Sequence, residues 1–236
     1  MLKEIKRHFY INRKDYATSL MLAIGIALLA DLIVMIVLQF QPGAFMPPIS
    51  SILFVAGSAL YGLIFAMGAI GGQFNMAIKM GAVRWQYVLV FALLNITQTF
   101  VLIMLGNAWQ FVNKGLLQIA GGQPMFTFTL SPLWAIALAI LVTLFGLWIG
   151  ALLMRYGKAA FWVLWAFWVF SGAGSGAIAN AITEPGRTDI FARIVKSIAA
   201  FVTVLPVSAL WLGGVLLMAA IAGHAWFILR KIPAQD

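Results

Sequence analysis

Six stretches of this chain, residues 17–38, 49–72, 87–109, 133–153, 159–181 and 206–228, are each apolar over about the twenty residues a helix needs to cross a bilayer. A backbone in hydrocarbon finds no water for its N–H and C=O groups, so it must close its hydrogen bonds internally, as a helix or a sealed barrel. Barrel strands alternate apolar and polar residues, whereas these runs are continuous, and helices follow. Composition agrees: 64% of residues are hydrophobic and 9% charged, with a mean hydropathy of +1.02, far from the roughly half-apolar make-up of soluble domains. The expectation is an all-α integral membrane protein, with an amphipathic interfacial helix over residues 1–16 and one six-helix transmembrane domain over residues 17–236.

Charge sets the predicted orientation. With the N-terminus inside, the inner segments hold Lys3, Lys6, Arg7, Arg13, Lys14, Lys79, Arg84, Arg155, Lys158, Arg230 and Lys231, against Lys114, Arg187, Arg193 and Lys196 outside. This excess of inner Lys and Arg places both termini in the cytoplasm, although the last outer loop is more basic than the rule prefers. Tryptophan rings favour the headgroup level, and Trp109, Trp134 and Trp211 fall at outer ends while Trp85, Trp162 and Trp226 fall at inner ends. Trp148, Trp165 and Trp168 lie deeper and read as packing residues. The first apolar run is too long for a secretory signal and no small-x-small cleavage site follows it, so it reads as a retained span.

Three connecting pieces have helical patterns of their own. In residues 2–14, Leu2, Ile5 and Phe9 share a face opposite Lys3, Lys6, Arg7 and Arg13, which fits an interfacial helix or a basic flank that only sets orientation. Residues 73–86 read as a short helix with Phe74, Ala77, Ile78 and Gly81 near one side, or as a plain polar connection. Before the last span, Thr188 or Asp189 can cap a helix with Ile190, Phe191, Ile194, Val195, Ile198 and Phe201 on one face. Residues 190–228 exceed one crossing, so an outer surface or re-entrant helix is expected there, with Pro206 in the first turn of the last span. The outer loop at 110–131 reads as irregular.

Little in the chain carries chemistry. It has no cysteine, and its only histidines are His8 and His224, so disulfides and thiolate or histidine-rich metal sites are not expected. The formal charge of +9 flanks the spans rather than forming a nucleic-acid surface. Asp31 is the only carboxylate within a span; it is a candidate intramembrane proton or substrate site, against a structural role near the outer end of the first span. Ser171-Gly-Ala-Gly-Ser-Gly-Ala177 lacks the Lys-Ser/Thr pair of a phosphate loop. Close helix packing is its expected role, with Gly172 and Gly176 four apart, as Gly68 and Gly72 are in the second span. Ser175 and His224 are similar in outline to a rhomboid protease dyad. Their predicted depths differ by roughly 15 Å at 1.5 Å per residue, too far for a nucleophile and its base. Gly121-Gly122-Gln123 matches part of an ATPase signature but stands in a predicted outer loop, without a phosphate loop. The chain is not expected to be an enzyme.

The basic N-terminus, six spans, the projection at residues 73–86, the helical segment before the last span and the terminal Leu229-Arg-Lys-Ile-Pro together resemble the type 2 ABC exporter-permease family. The stretch Phe74-Asn-Met-Ala-Ile-Lys-Met-Gly-Ala-Val-Arg-Trp-Gln-Tyr87 is similar to family loops in which a Gly, a spacer and an Arg precede the third span. The resemblance implies a permease subunit that pairs with a second permease subunit, as a homodimer or heterodimer, on separate ABC ATPase subunits. ATP and magnesium then belong to that partner, with no cofactor on this chain and no nucleic acid. It further implies that Phe74, Asn75, Ala77, Ile78, Lys79 and Met80, with Gly81 and Arg84, form the ATPase-coupling loop. The substrate would be amphipathic, such as a peptide, lipid or drug, and the setting a bacterial or archaeal plasma membrane. Two other expectations remain: a non-transporting membrane partner or immunity protein, and a small proton-coupled secondary transporter that uses Asp31.

Overall fold

The computed structural model describes residues 2–41, 43–79, 83–183 and 206–231, with residues 193, 194, 196, 197 and 200 between them. In chain order the elements are α1 (Leu2–Phe40), β1 (Phe45–Met46), α2 (Ile49–Gly68), a π-helical turn (Ala69–Gln73), α3 (Phe74–Lys79), α4 (Arg84–Ile119), β2 (Gln123–Pro124), α5 (Pro132–Tyr156), α6 (Lys158–Thr183) and α7 (Val207–Leu229). Five segments are long and apolar enough to cross a bilayer: Asn12–Phe40, Ile49–Gly68, Arg84–Ile119, Pro132–Tyr156 and Trp211–Leu229. In α6 the described apolar part is Lys158–Ser171.

Side-chain placement identifies the solvent. On α1, the buried face carries Ala23, Ala27, Ala30, Val34 and Leu38, while Met21, Leu29, Leu32 and Ile33 are exposed. Alanines over the first half of the buried face and large aliphatic side chains exposed opposite them suit a helix that packs closely with lipid around it. Large apolar side chains are likewise exposed on α2, α4, α5, α6 and α7. A continuous apolar surface of that extent is untenable in water.

Two elements run longer than the sequence pattern suggests. α1 is a single 39-residue helix, so the amphipathic N-terminal segment and the first span form one rod of roughly 58 Å, about twice the hydrocarbon thickness. α4 has 36 residues and continues to Ile119, ten beyond the expected end of the third span, so the first half of the expected irregular loop at 110–131 is helical. The cause is tertiary, since Asn113 and Leu117 in this extension are buried against α1. The segment after it is tied down by the parallel bridge of β1 to β2, Phe45 to Gln123 and Met46 to Pro124, beside a Gly43 N–H to Gly121 carbonyl bond of 3.2 Å. Gly43 (φ 81°) and Gly121 (φ 74°) take left-handed conformations that side-chain-bearing residues rarely adopt.

α2 is the central helix, packed against α1, α4 and α5, while α7 and the described part of α6 lean mainly on α5. Glycines let the backbones of α2 and α5 approach closely. A methyl group on Gly146 would sit 2.5 Å from the Leu63 carbonyl oxygen, and one on Gly150 would sit 2.8 Å from that of Met67. These two glycines, four apart, form the small-residue seam of the bundle. At Gly68 and Gly72, a pair expected to pack closely, added Cβ atoms meet nothing within 4 Å among the described residues. Gly172 and Gly176 lie on the helical backbone of α6, but their surroundings, like the side chain of Ser175, lie outside the described residues.

Helix ends follow local chemistry. At the start of α5, Ser131 Oγ accepts the Trp134 N–H at 3.4 Å and proline stands in the first turn, an arrangement that satisfies an otherwise orphaned donor. α5 stops at Gly157 (φ 56°), and α6 begins at once with Lys158. Pro206 precedes α7 as its N-cap, one residue earlier than expected.

Candidate functional sites at the two ends of the bundle

The contacts sort the helix ends into two groups. At one end Gln73 Nε2 donates to Asn12 Oδ1 at 3.3 Å, Arg84 Nη1 donates to the Arg230 carbonyl at 2.9 Å, and Phe74 packs with Tyr87, Ile228 and Leu229. At the other end Asp31 meets Trp109 and Asn113, β1 meets β2, and the Trp134 and Trp211 rings stack 4.7 Å apart. Every residue in the first group was expected on the inner side and every one in the second on the outer side.

The first end is built around α3. Across the π-helical turn the backbone stays right-handed helical at Gly68, Ala69 and Phe74, so α2 and α3 form one rod from Ile49 to Lys79. A π-turn inserts an extra residue and re-aims the side chains beyond it. Phe74, 1% exposed, plugs a cluster of Ala66, Ile70, Tyr87, Phe91, Leu147 and Leu229, with its ring 5.7 Å from that of Tyr87 in an edge-on contact. Ala77 and Ile78 are partly buried against the same cluster, and Lys79 is exposed. Of the expected loop residues, Phe74 is therefore an anchor inside the bundle, and Lys79 faces outward. Asn75 is on the helix with its side chain outside the described residues, as are Met80 and Gly81 altogether. Arg84 opens α4, and its hydrogen bond to Arg230 ties α4 to the end of α7.

Polar side chains continue from this end into the bundle. Tyr61 OH donates to the Asp15 carbonyl at 2.9 Å, and Gln98 Nε2 donates to Ser19 Oγ at 2.7 Å. Deeper, Asn95 is 1% exposed and its Nδ2 donates to both the Gly62 carbonyl (3.0 Å) and Thr143 Oγ1 (2.9 Å), joining α4 to α2 and α5. In hydrocarbon an amide without partners is costly, so such bonds fix which helices meet. The sequence reading missed this triple junction; the signal for it was Asn95, one of the few polar residues inside the apolar run 87–109.

At the opposite end Asp31 is 3% exposed, and both carboxylate oxygens are occupied: Oδ2 accepts from Trp109 Nε1 at 2.9 Å and Oδ1 from Asn113 Nδ2 at 2.7 Å. Both donors are neutral and both sit on α4, so Asp31 clamps α1 to the α4 extension. Next to it a cavity of about 230 Å³ is lined by Gln110, Asn113, Lys114, Thr127 and Thr129, among others. Asn107 holds the chain before α5 through two bonds, Nδ2 to the Leu130 carbonyl (2.6 Å) and Oδ1 from the Leu130 N–H (3.1 Å). His224 accepts from Trp148 Nε1 at 2.9 Å, so these two residues join α5 to α7. Among the described residues, no three His, Cys, Asp or Glu side chains converge on a metal-sized site.

Apolar helices of spanning length, large apolar side chains exposed along them and buried polar groups bonded from helix to helix define an all-α, multi-pass membrane protein. No family model, curated protein or solved structure matches the chain.

Proposed function

We propose that this chain is the membrane-spanning permease subunit of an ATP-driven ABC exporter, with six spans and both termini in the cytoplasm of a bacterial or archaeal cell. The observation that supports this best is the α2–α3 rod. Force applied at the exposed surface around Lys79 acts on a helix anchored by Phe74 where α2, α4, α5 and α7 meet, and continuous with the helix at the centre of the bundle. A coupling element needs that combination: an exposed contact surface, a short lever and a stiff route into the spans. ATP and magnesium bind the partner ATPase, and a second permease subunit, identical or homologous, completes the path for an amphipathic substrate. Asp31 in this reading belongs to the scaffold, because fixed neutral donors occupy both its oxygens. The re-entrant helix expected over residues 188–205 lies mostly outside the described residues.

The test is reconstitution in proteoliposomes with the ATPase subunit that co-purifies with the chain. Lys79→Glu is expected to lower permease-stimulated ATP hydrolysis several-fold while the unfolding temperature of the subunit is unchanged. An undiminished stimulation, or the absence of any co-purifying ATPase, would count against the reading.

A further inference from the structure

We propose that the groove between α5 and α6 binds an anionic phospholipid, with an acyl chain against Trp148, Leu152, Leu164 and Phe167 and the phosphate held by Arg155 and Lys158. The inference needs only the membrane class of the protein and is independent of the transport reading. The groove encloses about 540 Å³ and is lined entirely by aliphatic and aromatic side chains. Its wall on α5 runs from Phe145 to Tyr156, roughly 16 Å at 1.5 Å per residue. Inside a bilayer an apolar cleft of that length has to be filled by something apolar, since water there would find no partners.

Charge decides what fills it. The two walls join at the turn of Gly157, and Arg155 on α5 and Lys158 on α6 stand beside the lining residues Tyr156 and Ala159 at that end. The Arg155 guanidinium lies 5.3 Å over the ring of Tyr156, a lining residue, and Lys158 adjoins Ala159, another. Both cations are exposed, and the only carboxylates with described side chains, Asp15 and Asp31, are on α1. A pair of exposed cations with no carboxylate beside them among the described residues, at one end of an acyl-sized cleft, is complementary to one anionic headgroup with its chain attached. A helix from a second copy would fill the cleft but leave that charge unmatched.

The test uses the whole chain in mild detergent, with lipid retained through purification measured by mass spectrometry and unfolding followed as phosphatidylglycerol or phosphatidylcholine is added. Phosphatidylglycerol is expected to be retained and to raise the unfolding temperature by several degrees more than phosphatidylcholine. R155Q/K158Q should abolish that preference, and Leu164→Trp, which fills the groove, should reduce retained lipid several-fold. Equal stabilisation of the natural chain by both lipids would overturn the proposal, and it decides the matter even if a variant fails to fold. An unaltered preference in R155Q/K158Q would overturn it as well. So would efficient disulfide cross-linking between two copies of Ala159→Cys in native membranes, which would put a second copy in the groove.

Discussion

Asn113 on α4 donates a 2.7 Å hydrogen bond to the carboxylate of Asp31 on α1, across 82 positions of sequence. The bond explains two features together. It provides a buried carboxylate with a partner, and it gives α4 a reason to continue ten residues beyond its expected span. Asn113→Leu is therefore expected to cost about 1–3 kcal/mol, the penalty for leaving a buried polar group short of a partner. Asp31→Leu with Asn113→Leu should cost less than the sum of the two single changes, because neither partner is then orphaned. Thermal unfolding of the four proteins in one detergent checks this; strict additivity would mean that the two residues do not act as a pair.

Gly146 and Gly150 are expected to be the intolerant glycines. Gly150→Val pushes a branched side chain into the Met67 carbonyl and Ile70, and overpacking of this kind costs about 1–3 kcal/mol. Gly68→Ala, with open space around it, should be neutral or stabilise by about 0.5–1 kcal/mol, the helix preference of Ala over Gly. The unfolding midpoint of Gly150→Val should fall while that of Gly68→Ala holds or rises, and the reverse order would refute the packing described for α2 and α5.

Asn95→Leu removes both bonds of the α2–α4–α5 junction and leaves Thr143 and the Gly62 carbonyl without this donor. Interhelical bonds of this type in membranes contribute on the order of 0.6–1.7 kcal/mol. A loss in that range is expected, with Thr143→Val giving a smaller loss and the double variant little more than Asn95→Leu alone. The measurement is a double-mutant cycle on unfolding in mixed micelles.

Topology is open to direct labelling because the chain has no cysteine. A membrane-impermeant maleimide should modify Lys79→Cys only from the cytoplasmic side and Thr127→Cys only from outside. Both positions are exposed, at opposite ends of the bundle. Labelling of Lys79→Cys from outside would remove the basis for a coupling role of α3.

Long apolar helices were legible in local pattern, five of spanning length standing among the described residues, while their orientation is an expectation from charge. Residues 49–72 and 133–153 mark α2 and α5 closely, because length and apolarity suffice when the medium forbids unpaired backbone. Glycine spacing was a poorer guide. Gly68 and Gly72 look like a packing motif no less than Gly146 and Gly150 do, and among the described residues only the latter pair faces another backbone. Phe74 is similar: the family resemblance implied a partner contact for it, whereas its ring is used inside the bundle.

Lipid around the chain, the helical state of its spans and the scarcity of reactive groups all follow from the order of residues, since each depends on neighbours within a few turns. Which face of each helix turns inward, which donors reach Asp31 and which glycines meet a carbonyl depended on the packed bundle. Those relations join residues far apart in sequence, as Trp109 and Asn113 are from Asp31 by 78 and 82 positions, and a period of 3.6 carries no record of them.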